Sequence, residues 1–254
     1  MSAKPFTSTV GLAQWGESRF RGYAVCAELA GRVDYWRAFA LALGKPPLTD
    51  SQVHSLDCLA SVTLAVDPRV WPHKLVRLVA SYGEPLPALA AYHYILHANS
   101  LGLRNAAKCA EMLQEVAAAG VGATASAFLP MLRRGRLPGF GVPFRDTDER
   151  LDALCTALGS DSGPHLKLLG ELSELAFAEK KIRPNLIAGY AAVALDSGFA
   201  PHEVQWLVLP LVLPAYLANA LEGAAQQHDS MLRLGADDLA YRGPPPRRSP
   251  RARP

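Results

Sequence analysis

The stretch Leu137-Pro138-Gly139-Phe140-Gly141-Val142, with Asp148-Glu149-Arg150 shortly after it, decides how this sequence is interpreted. Two glycines flank an aromatic residue directly after a proline. Because glycine has no Cβ, such a backbone turns sharply and lets a ligand come close. Arg150 falls in the first turn of the helix predicted to follow, and a guanidinium can hold a carboxylate through two parallel hydrogen bonds. The stretch therefore predicts a glycine loop followed by a carboxylate-binding residue.

The overall composition favours helices over strands. Half of the 254 residues are hydrophobic, and isoleucine, a strand-forming residue, occurs only three times. Alanine and leucine, which dominate the apolar residues, are good helix formers. Twenty prolines and twenty glycines divide the chain into short segments, and none alternates convincingly between apolar and polar residues. The sequence predicts an all-α protein of about a dozen helices, with few or no strands.

Start and stop signals give the bounds of these helices. Thr49 and Gln52 have the spacing of a capping box, in which each side chain binds a backbone N–H at the helix start. Thr147 is predicted to cap the helix after the glycine loop. The predicted helices cover residues 34–43, 49 onward, 72–82, 86–98, 104–119, 123–134, 147–158, 164–180, 186–197, 201 onward and 225–239.

The net charge of +3 arises at the C-terminal end. Residues 242–254 contain five arginines and no acidic residue, so residues 1–241 carry a net charge of −2. This basic tail cannot bury apolar surface and is predicted to be disordered, either as a solvated end or as a segment that contacts RNA or anionic lipid. The near-neutral remainder predicts no nucleic-acid partner.

Cysteine usage and the N-terminal residues predict a cytoplasmic protein. The four cysteines are widely spaced, no pair has the Cys-x-x-Cys spacing, and no export signal precedes them. We therefore expect reduced thiols and no metal site.

The stretch Val204–Leu221 contains no charged residue and approaches the minimum length of a membrane-spanning helix. Pro210 and Pro214 lie inside it, and a large helical domain needs a central helix that is apolar all round. We predict a buried core helix and no membrane contact.

The motifs resemble the citrate synthase superfamily, in particular its short citryl-CoA lyase-like members. The pattern of those proteins reads Pro-Gly-Phe-Gly-His followed by Asp-Pro-Arg, and this chain matches it at Pro138 to Gly141, Asp148 and Arg150. Residues 20–23 and the turn 43–48 also follow the order of family segments. The resemblance spans roughly residues 19–223 and implies a citrate synthase-like, multi-helical fold.

The resemblance also implies a chemistry whose main groups are replaced here. Family members use two histidines and an aspartate to form an enolate of an acyl thioester and add it to a keto acid. The second histidine position holds Val142 and the aspartate position holds Ile187, while an arginine and a further histidine position hold Val212 and Asn219. Without a base the reaction would lose a factor of ~10²–10⁴, and without the enolate donor ~10²–10³ more. We expect no ordinary citrate synthesis.

Other polar residues are candidates for a rebuilt site. His97, Asn105 and Asn219 are the candidates for an acid–base or hydrogen-bonding role. His93 and His97 share a helix face, and the alternative for them is a pair of partly buried histidines bonded to backbone carbonyls. Arg104 and Asn105 could bind an anion where the first family histidine is missing, or could be ordinary helix-start residues.

Coenzyme A, or an acyl-CoA, is the ligand that the resemblance implies, with no permanently bound cofactor. The backbone of Pro138, Gly139, Phe140 and Gly141 would line its groove. Lys181, in a basic segment, would meet the phosphates, or else belongs to a solvated helix end.

A small-molecule carboxylate is the second implied ligand, and Arg150, Arg104 and Asn185 are the residues predicted to bind it. Two functions follow from these assignments. The first is an enzyme that handles an acyl-CoA and a carboxylate with chemistry other than citrate formation. The second is a non-catalytic member with a structural or regulatory role beside a catalytic relative.

The resemblance implies two lobes and a dimer. Residues 1–18 form a lead-in, 19–149 and 199–241 a large helical domain, and 150–198 a small helical lobe. Family members dimerise through apolar helices, so we expect a homodimer or a heterodimer with a citrate synthase-like subunit. Exposed apolar helices would otherwise be unfavourable in water.

Overall fold

A computed structural model describes residues 7–96, 103–142 and 145–226, together with 235, 237, 240 and 242–244. Over these residues the chain is almost entirely helical, as predicted. The α-helices are α1 (Tyr35–Ala42), α2 (Asp50–Thr63), α3 (Trp71–Ser81), α4 (Pro85–Leu96), α5 (Leu103–Ala118), α6 (Thr124–Arg134), α7 (Glu149–Leu158), α8 (Pro164–Lys180), α9 (Leu186–Asp196) and α10 (Val204–Ala224).

The strands of the described residues are short and lie near the N-terminus. β1 (Gly11–Leu12), β2 (Arg19–Phe20) and β3 (Tyr23–Ala24) form a three-stranded antiparallel sheet. A π-helical turn follows at Val25–Leu29, and 3₁₀ turns lie at Gly159–Asp161 and Pro201–Glu203. The prediction of few strands is confirmed.

The helix starts follow capping chemistry, with one correction. At α2, the backbone N–H of Gln52 donates to Thr49 Oγ1 at 3.2 Å and that of Thr49 donates to Gln52 Oε1 at 2.9 Å, so the capping box is confirmed. At α7 the predicted cap, Thr147, is wrong by one residue. Asp148 is the cap, because its carboxylate accepts the backbone N–H of Arg150 at 3.2 Å.

Helix α10 lies at the centre of the helical body, where it packs against α3, α4 and α5. By length and composition it could cross a membrane, but half of its most apolar segment is buried inside the protein. Gly223 lets α3 approach closely, since a Cβ there would lie 2.6 Å from the Cα of Arg77. The Arg77 guanidinium forms a two-bond ion pair with Glu222 beside this contact, at 2.6 and 2.8 Å. These contacts agree with the predicted core helix.

Helix α9 brings the glycine loop to the core. Its alanines at positions 188, 191, 192 and 194 are fully buried, and it packs against α5 and α8. Helix α7 lies against α2 and α9. The division into two lobes stays a prediction. The helix predicted at 225–239 and the basic tail fall mostly outside the described residues, and α10 ends at Ala224.

Candidate active site

The glycine loop is joined by hydrogen bonds to the segment that precedes α9. The N–H of Gly141 donates to the carbonyl of Arg183 at 2.8 Å, and the N–H of Asn185 donates to the carbonyl of Gly139 at 2.8 Å. The Asn185 side chain also donates to the carbonyl of Gly141 at 2.9 Å. The loop is therefore held by three bonds across two segments that lie more than 40 residues apart in the sequence.

Close packing requires glycine at one of the two loop positions. Gly139 has φ +83°, and a Cβ there would lie 2.6 Å from Cys109 Sγ and 3.1 Å from Ala188 Cβ. Gly141 has φ +92°, but no described atom lies within 4 Å of the position that a Cβ would take there. Between them Phe140 is buried against Phe128, with ring centroids 5.4 Å apart. The loop therefore packs tightly against α5, α6 and α9.

Asp148 joins the start of α7 to the start of α9. Besides the backbone N–H of Arg150, its buried carboxylate accepts two hydrogen bonds from the Arg150 side chain, Nε at 2.8 Å and Nη2 at 2.7 Å, and one from the backbone N–H of Leu186 at 2.9 Å. Burial acts to raise the pKa of this carboxyl, but the hydrogen bonds from Arg150 and Leu186 outweigh it and hold the pKa below its usual value. Asp148 is therefore an ionised structural residue.

Within the described part of the chain, the hydrogen bonds of Arg150 leave some of its donors available to a ligand. Asp148 occupies the Nε edge of the guanidinium, and a guanidinium has five N–H donors, so the edge between Nη1 and Nη2 can still hold a carboxylate through two bonds. About a third of the Arg150 side chain is exposed, against 2% for Asp148. The hydrogen bond that Arg150 donates to Asp148 raises the pKa of Arg150, which stays charged.

Arg150 lines a cavity of about 130 Å³ between α2, α3, α5, α7, α9 and α10. This cavity brings together three positions at which the family resemblance implies charged substrate-handling groups, namely Arg150, Ile187 and Val212. Its described lining is Thr63, Val66, His73, Leu103, Ala106, Arg150, Ile187, Tyr190, Val208, Val212, Ala215 and Tyr216. We call it the Arg150 cavity.

The Tyr190 hydroxyl offers a hydrogen-bond acceptor to a ligand in the Arg150 cavity. The Thr63 hydroxyl donates its single proton to the carbonyl of Leu59 at 2.6 Å and lies 3.0 Å from the hydroxyl of Tyr190. Tyr190 must therefore donate to Thr63, which leaves the Tyr190 oxygen able to accept a bond. Burial raises the pKa of Tyr190 to about 12, so the hydroxyl stays protonated.

His73 supplies a neutral imidazole to the cavity. It is 8% exposed, its Nδ1 is buried without a hydrogen-bond partner, and its ring lies 4.5 Å from that of Tyr216. Burial has the largest effect and lowers the pKa of His73, the carboxylate of Asp67 opposes this, and the charge of Arg150 adds a smaller lowering effect. The imidazole is uncharged at neutral pH, and its Nδ1 has hydrogen-bonding capacity that none of the described residues uses.

The other predicted site residues lie elsewhere. Asn219 faces α3, donating to the carbonyl of Ala215 at 2.9 Å and accepting from Arg77 at 3.4 Å. Asn185 holds the glycine loop, and Lys181 is exposed with its Nζ 4.9 Å from the ring of Phe177.

The remaining predicted positions are not in the described lining of the Arg150 cavity. Arg104 is exposed and Asn105 half-buried in the first turn of α5, Val142 is half-buried, and His97 lies outside the described residues. Within the described ranges no cluster of three metal-ligating side chains occurs.

Three cavity residues were missed in the sequence. Tyr190 lies three residues after Ile187, and Tyr216 lies four residues after Val212. Helical spacing therefore places each tyrosine on the same helix face as a position that the family resemblance had assigned to the site. His73 carries no such signal, because it reaches the cavity from α3, which the family motifs do not cover.

The fold agrees with that of solved proteins. Citryl-CoA lyase from Hydrogenobacter thermophilus is 21% identical and superposes with a TM-score of 0.79, over 97% of this chain and 98% of that one. ATP citrate lyase from Methanosaeta concilii, in complex with (3S)-citryl-CoA, is 15% identical with a TM-score of 0.73, over 96% of this chain and 42% of that one. Citrate synthase from Thermoplasma acidophilum, in a ternary complex with carboxymethyl coenzyme A and oxaloacetate, is 16% identical with a TM-score of 0.60, over 85% and 58%.

This chain has the citrate synthase-like fold, as the motifs at 138–141 and 148–150 predicted. It matches the citryl-CoA lyase over nearly the full length of both chains, but spans less than half of the ATP citrate lyase. No protein-family model matches the sequence, and a search of curated proteins gives no significant match.

Proposed function

We propose that this chain binds a carboxylic acid in the Arg150 cavity, together with coenzyme A or as part of an acyl-CoA, and that it does not form citrate. The observation that carries the proposal is the free Nη1–Nη2 edge of Arg150 in a cavity of about 130 Å³. A guanidinium group in a largely apolar cavity is well suited to bind a carboxylate.

The described lining of the Arg150 cavity lacks the carboxylate base that the family resemblance implies for citrate formation, and its neutral imidazole, His73, comes from α3 and not from that position, which holds Ile187. Among the described lining residues none is Asp or Glu, and the nearby carboxylate of Asp148 is occupied by Arg150 and by the backbone of Leu186. Abstracting a proton from the methyl group of a thioester needs a base within hydrogen-bond reach. Ile187 and Val212 can neither accept nor donate a proton, so turnover to citrate is not expected.

The coenzyme A part of the ligand must lie outside this cavity, since drug-sized ligands already need about 300–1,000 Å³. We place it beside the loop Pro138–Gly141, where Gly141 has an open side, and near the exposed ammonium of Lys181. Proteins of similar fold have been solved in complex with citryl-CoA and with citrate and coenzyme A, which supports coenzyme A as the class of ligand.

Calorimetric titration with butyrate, coenzyme A and butyryl-CoA tests the proposal. Arg150→Lys keeps a charge for Asp148 but loses the second donor edge, so we expect butyrate to bind at least about tenfold more weakly. Arg145→Lys, an exposed position, is the matched control and should bind as the wild type does. If none of these three ligands bound, the proposal would be contradicted. Robust citrate formation from acetyl-CoA and oxaloacetate would contradict it as well.

A second candidate function, that of a non-catalytic subunit, is supported by an apolar stripe on α3. Trp71, Leu75 and Val79 recur every four residues on this helix, and each is more than a third exposed. Association with a second subunit would bury this stripe. Light scattering on the wild type and on Leu75→Lys tests it: a dimer that the substitution dissociates supports a subunit role, and a monomeric wild type argues against a homodimer.

A further inference from the structure

The lining of the Arg150 cavity restricts which acid can bind there. From its charges and its apolar walls we infer that the ligand is a short-chain monocarboxylate with an apolar tail, and that dicarboxylates are rejected. This inference rests on the proposed function and names the ligand class of the same site.

Charge balance is the first argument. Among the described lining residues Arg150 is the one side chain that is always cationic, and its charge is already opposed by the buried carboxylate of Asp148. The free edge of the guanidinium can hold one carboxylate. A dicarboxylate would bring a second negative charge for which this lining offers no second cation.

The apolar walls are the second argument. Ile187, Val208, Val212, Val66 and Leu103 line the cavity with aliphatic carbon. Transferring an ionised carboxylate from water to such surroundings without a partner is strongly unfavourable, whereas a methylene chain gains about 0.8 kcal/mol per CH₂ that it buries. The same walls therefore penalise a second carboxylate and favour an alkyl tail.

The remaining polar groups do not reverse this preference. The hydroxyls of Tyr190 and Tyr216 stay protonated, and the His73 imidazole is buried close to the Arg150 charge, which opposes a second positive charge. Tyr216 and His73 can bond to an uncharged oxygen, such as a keto or hydroxyl group on the acid, and the Tyr190 oxygen can accept a bond from a hydroxyl group. They cannot neutralise a second carboxylate as a guanidinium would.

The volume sets the length of the chain. An apolar protein cavity of about 150 Å³ accepts benzene, so about 130 Å³ has room for an acid of about four to six carbons. Butyrate and succinate have equal carbon number and differ by one carboxylate, which makes them a matched pair of probes.

Ligand-observed NMR titration of the wild type at pH 8 with butyrate and with succinate tests the inference. We expect butyrate to bind at least about tenfold more tightly. Equal or tighter binding of succinate would overturn the inference and leave the proposed function standing. If neither acid bound, the inference would also be overturned, while the proposed function would still be decided by the titrations with coenzyme A and butyryl-CoA.

Reversal of the preference is a second test. Val212→Arg introduces a cation into the lining, and we expect succinate to gain at least about tenfold over butyrate relative to wild type. Leu213→Arg, the exposed neighbour on α10, is the control and should leave the ratio unchanged. Thermal melts establish whether each variant folds. If the Val212→Arg variant does not fold, the Ile187→Lys variant takes its place in the test. A folded variant of the lining with the wild-type ratio would contradict the role of the aliphatic walls.

Discussion

The carboxylate of Asp148 and the guanidinium of Arg150, two residues apart, are joined by two hydrogen bonds of 2.8 and 2.7 Å. The same carboxylate accepts the first backbone N–H of α9, from Leu186. One buried side chain therefore caps two helices, orients a cavity cation and balances its charge. Structure and ligand recognition depend on the same pair.

Replacing Asp148 by Asn separates these two roles. Asn also caps helices well, so the main loss is the ion pair. We expect the free energy of unfolding to fall by about 3 kcal/mol, the low end of the range for breaking a buried pair, because Arg150 is a third exposed. Butyrate should bind more tightly, since the Arg150 charge is no longer opposed.

Chemical denaturation and calorimetry measure the two effects of Asp148→Asn. Asp152→Asn, an exposed position on the same helix, is the control and should change neither quantity. Loss of stability together with weaker butyrate binding would show that Asp148 acts on the ligand only by positioning Arg150.

Alanine substitutions at Gly139 and Gly141 distinguish the energetic cost of backbone strain from that of close packing. Both have positive φ, so alanine costs about 1 kcal/mol or more at either position. At Gly139 the added Cβ also meets Cys109 Sγ at 2.6 Å, so we expect Gly139→Ala to lose about 2 kcal/mol more than Gly141→Ala. Urea unfolding of the two variants gives this difference directly, and equal losses would mean that the loop can shift away from α5.

His73 should make the stability of the protein depend on pH. Burial holds its pKa in the folded protein below the usual 6.5. As the pH falls below about 7, the unfolded chain binds the proton first. Stability is therefore lost from there down to the folded pKa, by at most about 1.4 kcal/mol per pH unit.

The wild type and His73→Phe, unfolded in urea at pH 8, 7, 6 and 5, isolate the His73 contribution. We expect the wild type to lose more stability than the variant on acidification. Parallel curves would mean that the buried imidazole titrates normally.

Thiol reactivity should distinguish the buried Cys109 from the exposed Cys26. Cys109 is fully buried beside Gly139, and burial raises the pKa of its thiol to about 12. Cys26 is exposed. With a disulfide reagent at pH 8 we expect rapid labelling of Cys26, and labelling of Cys109 only after denaturation. Mass spectrometry of the peptides measures the labelling of each cysteine. Butyryl-CoA should not change the slow labelling of Cys109 in the folded state.

Local sequence signals predicted most of the helices because those signals act over a few residues. The capping box at Thr49, the proline in the first turn of α3 and the glycines after several helices set their bounds. The cap of α7 was misplaced because Thr147 and Asp148 are both good caps. The choice of Asp148 depends on a bond to Leu186, 38 residues away.

The sequence by itself determined the helical fold, the glycine loop and the place of Arg150 near the site, since these depend on glycine conformation, helix propensity and short motifs. The tertiary structure alone decided that His73, Tyr190 and Tyr216 share one cavity with Arg150, and that Asp148 balances the Arg150 charge. These relationships join residues far apart in the chain. They depend on how α3, α7, α9 and α10 pack, which no local pattern specifies.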